Sequence, residues 1–214
     1  YNMSSYVLKT TNGGNTWDTV YHEPPENMEA YTCIFFKDSI HGYLGGWMGR
    51  IHITDDGGLS WTSIPVDTVN TANFNSIFFP VSDTGYAAVD GQVFCTVNTG
   101  ATWQALPYPF SSVLHSLYFT DAKHGYVVGG DGFSSMTLFQ TSDGGDTWSQ
   151  GATGTQTLSS VFFSDAATGY AVGSNGTILK YTPGASIAEN TTQDIQVNIF
   201  PNPSNEKVSI ELSQ

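Results

Sequence analysis

Positive charge is scarce in this 214-residue chain: six Lys plus Arg stand against nineteen Asp plus Glu, for a formal net charge of −13. Such a balance repels phosphate backbones and anionic lipid surfaces, so no nucleic-acid partner is expected. No apolar run reaches about 18 residues, which argues against a helical membrane span. Cysteine is limited to Cys33 and Cys95. These permit at most one bridge, and buried free thiols are the plainer reading. No stretch keeps a helical period, so the chain reads as all-β. No Gly-x-Ser-x-Gly elbow, Walker loop or His-Glu-x-x-His is present, and no cofactor or required metal is expected.

What the chain has is repetition. The pattern Ser/Thr-x-Asp/Asn-x-Gly-x-Thr/Ser-Trp occurs at 10–17, 54–61, 96–103 and 141–148. Its members are Thr10, Asn12, Gly14 and Trp17; Thr54, Asp56, Gly58 and Trp61; Thr96, Asn98, Gly100 and Trp103; and Thr141, Asp143, Gly145 and Trp148. The tryptophans lie 44, 42 and 45 residues apart, a period that fits one four-stranded propeller blade per repeat. A second motif keeps the same beat. Ile34-Phe35-Phe36, Ile77-Phe78-Phe79, Leu117-Tyr118-Phe119 and Val161-Phe162-Phe163 are each followed by a Gly-Tyr pair, at Gly42-Tyr43, Gly85-Tyr86, Gly125-Tyr126 and Gly169-Tyr170. Each repeat thus predicts an apolar strand, a Gly turn, a second strand and a third strand running into the Trp motif. The repeats fall near 31–66, 74–107, 115–150 and 158–183, the last completed by 1–20.

The Trp motif resembles the Asp box, or BNR repeat. With the Phe-Phe…Gly-Tyr element it is similar to the propeller family that includes photosystem II assembly and stability factors; sialidases and some glycoside hydrolases share the box. The resemblance spans 1–183 and implies a β-propeller of four-stranded antiparallel blades, with four repeats visible here and a larger propeller expected. The box is expected to be a fold staple, its Asp or Asn accepting backbone N–H groups of a tight turn that needs a positive φ at Gly. The chain opens at Tyr1 without an initiator Met or signal peptide, and a longer or processed protein is expected.

Composition shifts after Gly184. Residues 184–195 read as a linker. From 196 to 214, Phe200-Pro201-Asn202-Pro203 leads into an alternating strand pattern. This resembles the opening of the C-terminal sorting domain of the type IX secretion system, a β-sandwich here cut short. The resemblance implies contact with that machinery through Pro201, Asn202 and Pro203, and a secreted or cell-surface location. Thr19, Ser39 and Thr68 sit in Asp-Ser/Thr-apolar patterns that such bacteria O-glycosylate.

Function is expected to be recognition rather than catalysis. Sialidases clamp the substrate carboxylate with three arginines, and Arg50 is the single arginine here. Another glycoside hydrolase needs two carboxylates across a cleft; among Glu23, Glu26, Glu29, Asp90 and Asp131, no spacing pairs any two. The loops opposite the Asp boxes are mostly short, but two are embellished. One carries Trp47, Met48 and Arg50, and the other carries Phe133. Aromatic, Met and Arg side chains on a rigid scaffold are typical contact residues. The expected function is therefore a non-catalytic module binding a protein or glycan partner. The alternatives are a glycoside hydrolase and an assembly factor for a membrane complex.

Overall fold

The structure is a computed structural model that describes residues 5–23, 29–66, 72–107, 109–110, 112–132 and 135–181. Phe133, Thr68, Glu26, the 184–195 linker and the 196–214 segment with Pro201, Asn202 and Pro203 lie outside the described residues. Short β-branched and aromatic runs separated by Gly, Asn and Asp give antiparallel strands throughout. Among the described residues the one helical element is a single 3-10 turn at Ser174–Gly176.

Three sheets are complete four-stranded meanders. The first holds β3 (Tyr31–Phe36), β4 (Gly42–Gly46), β5 (Arg50–Thr54) and β6 (Thr62–Pro65). The second holds β7 (Phe74–Phe78), β8 (Gly85–Val89), β9 (Gln92–Thr96) and β10 (Gln104–Ala105). The third holds β11 (Leu114–Phe119), β12 (Gly125–Gly130), β13 (Met136–Thr141) and β14 (Ser149–Gln150). A two-stranded sheet, β1 (Ser5–Lys9) and β2 (Asp18–Glu23), precedes them; a three-stranded sheet, β15 (Leu158–Asp165), β16 (Thr168–Gly173) and β17 (Ile178–Lys180), follows. These are propeller blades set side by side, with inner strands β3, β7, β11 and β15 packed in succession. Ser76 and Ser116 accept the backbone N–H of Leu117 and Val161 in the next blade, both at 3.3 Å.

The core is a set of layers between consecutive blades rather than one central cluster. Tyr43, Ile51, Phe74, Phe79 and Ala87 fill the first, Tyr86, Leu114, Phe119 and Val127 the second, and Val128, Leu138, Leu158 and Phe163 the third. The recurring Phe and Tyr form a chain of ring contacts across these layers. Tyr43 stacks on Phe79 of the next blade at 4.1 Å between centroids, Tyr86 on Phe119 at 3.5 Å, and Tyr126 on Phe163 at 4.4 Å. In the three complete blades the equivalent Phe meets its own blade's box tryptophan edge-on: Phe36 with Trp61, Phe79 with Trp103, Phe119 with Trp148, at interplanar angles of 81°, 82° and 86°. Stacked and edge-to-face pairs add about 0.5–1.5 kcal/mol each beyond area burial.

The same contacts correct one expectation. The Gly of each Gly-Tyr pair is not the turn between two strands; Gly42 and Gly85 are the first residues of β4 and β8. A Cβ at either would sit 2.5 Å from the ring of Phe36 or Phe79, and Gly125 and Gly169 are closer still to Phe119 and Phe163. The glycine is there because the Phe ring lies where a side chain would be.

The Asp boxes join the third and fourth strands of their blades and share one hydrogen-bond pattern. Thr54 Oγ1 donates to Asp56 Oδ1 (2.8 Å) and accepts from Gly58 N (3.0 Å), while Asp56 Oδ1 accepts from Leu59 N and Ser60 N. Ser60 Oγ and Thr147 Oγ1 donate to the second oxygen of Asp56 and Asp143, both at 2.6 Å. Where Asn replaces Asp the donor reverses: Asn12 Nδ2 and Asn98 Nδ2 donate to Thr16 and Thr102 Oγ1, both at 2.8 Å. The box glycines hold φ between +86° and +95°, a region that glycine enters without steric cost.

The two end sheets are hydrogen-bonded separately, with β17 paired to β16 and β1 to β2. Lys9 Nζ donates to Gly57 O at 3.0 Å and Ser5 Oγ to Glu29 O at 2.8 Å, tying the β1–β2 sheet to the β3–β6 blade. A cleft of about 280 Å³ remains between them, lined by Val7, Leu8, Ile34 and Phe36 among others. Cys33 and Cys95 are free, and burial pushes the Cys33 thiol up to about 12.

Candidate partner-binding face

The Asp boxes occupy one end of the strands. The β4–β5 turn and the connections between blades occupy the other, and it is here that the structure departs from repetition. Between β4 and β5 stand Trp47, Met48 and Gly49. Met48 and Gly49 both have left-handed backbone, φ +70° and +67°. A non-glycine residue rarely adopts this, and such strain of about 1–3 kcal/mol persists only where the surroundings enforce it.

The surroundings do so with three backbone hydrogen bonds of 3.0 Å. Trp47 N donates to Ala30 O in the preceding blade connection, Gly49 N to Ala72 O in the following one, and Val66 N to Gly49 O. The turn is thereby clamped between its neighbours while Trp47 and Met48 stay 41% and 38% exposed.

Arg50 opens β5 beside this turn. Its Nη1 donates to Ser63 Oγ at 2.9 Å, and its Nε lies 3.8 Å from Glu29 Oε1. The guanidinium is thus held by β6 and by the β2–β3 connection. Arg50 is thereby anchored by polar contacts beside the turn that carries Trp47. Its side chain is 39% exposed, so it still offers charge to solvent.

Beneath it lies a buried polar cluster. His52 Nε2 is 2.7 Å from Glu29 Oε2, and the His52 ring meets Tyr31 edge-on at 5.1 Å. Tyr21 and Tyr31 hydroxyls donate to Glu23 Oε2 at 2.7 and 2.8 Å. Burial holds the His52 pKa below its ordinary value, against the opposing pull of Glu29 and Glu23. Burial first, then the Glu23 hydrogen bond, raises Tyr21 to about 12 and raises Tyr31 as well. Sequence spacing gave no hint of this cluster, because β2, the β2–β3 connection, β3 and β5 meet only in the folded blades.

The remaining candidates are placed as follows. Asp90 accepts from Asn73 N and Asn73 Nδ2 at 3.2 Å, tying the β8–β9 hairpin to the chain entering β7, and Asp131 accepts from Ser135 N at 3.0 Å within its own turn. His41 and His124 repeat one arrangement, their Nδ1 atoms 2.7 and 2.8 Å from Asp38 and Asp121. Thr19 and Ser39 are exposed. Among the described residues no helix is long and apolar enough to cross a membrane.

Comparison with known proteins places this geometry. A family described as "Photosynthesis system II assembly factor YCF48" matches residues 95–155. The photosystem II assembly lipoprotein Ycf48 of Synechococcus sp. (strain CC9902) is 29% identical over 132 residues, covering 56% of this chain and 36% of that protein. The matched region therefore spans about a third of the relative's length. A solved structure of YCF48 bound to D1 peptide superimposes with a TM-score of 0.60 at 19% identity, over 74% of this chain and 51% of that one. An ancestral GH74 enzyme gives 0.61 at 18% identity, over 73% and 23%. The chain is a BNR-type propeller that resembles the photosystem II assembly factor in sequence, and the two solved structures share its fold.

Proposed function

We propose that the chain is a non-catalytic propeller that holds a protein segment at the strand ends opposite the Asp boxes, in the manner of an assembly factor. Trp47, Met48 and Arg50 are its contact residues. The carrying observation is the 47–49 turn: a strained, backbone-clamped connection that keeps an aromatic ring and a thioether exposed beside a guanidinium. Rigid presentation of these residue types is what protein contacts reward, since little side-chain entropy remains to be lost. A protein partner is favoured over a glycan by the likeness to a relative whose solved structure holds a peptide. The assembly reading, which sequence alone ranked behind a secreted binding module, thereby moves to the front.

A hydrolase is the weaker reading. Glu23 and Glu29 do approach one another, but Glu23 is buried and the Glu29 side chain only 12% exposed, so they do not face each other across an open cleft. Export belongs to the same proposal through the Pro201-Asn202-Pro203 signature. It is tested by whether its deletion retains the protein inside the producing cell.

A photo-crosslinking residue placed at position 47, compared with one at Leu59 on the Asp-box side, tests the face. Leu59 is 65% exposed, so access is equal or better there. In extracts of the producing organism, position 47 should yield a discrete protein adduct and position 59 none. The reverse pattern contradicts the proposal.

A further inference from the structure

Glu23 at the end of β2, Glu29 in the β2–β3 connection and His52 in β5 bring one ligand-capable atom each to within 4.8 Å of the others. The site is closed to bulk water: Glu23 and His52 are each 4% exposed and the Glu29 side chain 12%. Glu29 Oε2 is buried and pairs with His52 Nε2 at 2.7 Å, but has no well-aligned hydrogen-bond donor. A nitrogen and an oxygen paired this closely but poorly aligned for a hydrogen bond leave the buried carboxylate oxygen incompletely satisfied, a state that a further partner would relieve. Lone pairs that miss each other at this distance can both be directed at a third centre.

We propose that Glu23, Glu29 and His52 form a binding site for a divalent transition-metal cation, with zinc as its best match. One imidazole nitrogen and two carboxylate oxygens suit zinc, whereas calcium takes six to eight oxygens and has no use for the imidazole. Tyr21 and Tyr31, donating to Glu23 Oε2, fix that carboxylate as outer hydrogen bonds do around metal ligands. Arg50 is the competitor, since its Nε is 3.8 Å from Glu29 Oε1 and the metal must share or displace it. The inference is independent of the partner reading.

The test uses the whole chain, treated with EDTA and dialysed, then titrated with zinc chloride by calorimetry. One equivalent should bind with a Kd of about 10 µM or tighter, and excess zinc should raise the melting temperature. Glu29→Gln and His52→Gln should each weaken binding by at least about tenfold. His41→Gln with His124→Gln, which alters the two exposed Asp–His turns, should leave it unchanged. Circular dichroism establishes that each variant is folded. Arg50→Ala, at a half-exposed position that need not disturb folding, should tighten zinc binding because it removes the competing cation. The proposal is overturned if the wild type takes up no single saturable equivalent. It is equally overturned if uptake survives in folded His52→Gln, is lost in the His41/His124 variant, or is no tighter in Arg50→Ala.

Discussion

The two ends of the blades are built on different rules. At the Asp-box end, four turns repeat the same hydrogen bonds, and even an Asp-to-Asn exchange changes only which atom donates. At the opposite end the connections differ: Asp90-Gly91 closes one hairpin, while Trp47-Met48-Gly49 closes another with a left-handed methionine. Repetition carries the architecture here, and the departure from it is where we propose the partner contacts to lie. A repeat that served recognition would expose its variable side chains at the box turns, whereas the boxes spend theirs on their own backbone.

The boxes themselves show how much of a motif is local. The first box forms the same Thr10 and Asn12 hydrogen bonds as the others, yet Trp17 is 58% exposed. Trp61, Trp103 and Trp148 are half-buried against the Phe of their own inner strand. The turn needs only its own eight residues; the burial of its tryptophan needs the inner strands. Tyr170, in the last described blade, is 43% exposed by the same logic, with no described neighbour to offer it a ring.

The largest expected effect lies in the inter-blade ring contacts. Phe79→Ala removes a nearly buried ring that Tyr43 and Trp103 both touch, and should destabilise by about 3–5 kcal/mol. Phe36→Ala, at 37% exposure, should cost about 1 kcal/mol. Urea melts that gave equal losses would break the claim that inter-blade stacking holds the array together.

Next comes the tryptophan pair. Trp103→Ala loses an edge-on ring contact and an indole hydrogen bond to Gly100 O at 3.0 Å, for roughly 2–3 kcal/mol. Trp17→Ala should stay within about 0.5 kcal/mol. Finding Trp17 as costly as Trp103 would mean that the box is a self-contained stabilising unit after all.

The smallest effect is a dependence on pH. Hydrogen bonds from Thr147 Oγ1 and Thr147 N, then Thr141, hold the Asp143 carboxyl down at about 2. Its folded pKa lies below the unfolded value of about 3.9, so its contribution is complete above about pH 4 and fades as pH falls toward 2. Asp143→Asn, which copies the box at Asn98, should flatten the melting temperature across that window. Parallel curves for the two proteins would show that this carboxylate is not linked to folding.

Much of this was legible before any coordinates. Strand order within a blade and the box positions followed from two motifs keeping one period; the expected joining of 158–183 with 1–20 into one blade did not, since β1–β2 and β15–β17 are hydrogen-bonded as separate sheets. The reason for the Gly in Gly-Tyr did not, because it depends on a Phe ring several residues earlier folding back over the next strand. Nor did the Glu23–Glu29–His52 cluster, whose members share no spacing and meet only when two blades pack. Trp47 and Arg50 stood out as singular residues, but the anchoring of Arg50 by Ser63 and Glu29 is a tertiary fact that no loop composition encodes.

The division between the two ends can be measured in one comparison: the affinity of the crosslinked partner for the wild type and for the Trp47→Ala/Arg50→Ala variant, each with its melting temperature. The account predicts binding weakened by more than about tenfold with a melting temperature nearly unchanged. A variant that melts early and still binds as the wild type does would show instead that the 47–50 turn caps the blade and that the partner lies elsewhere.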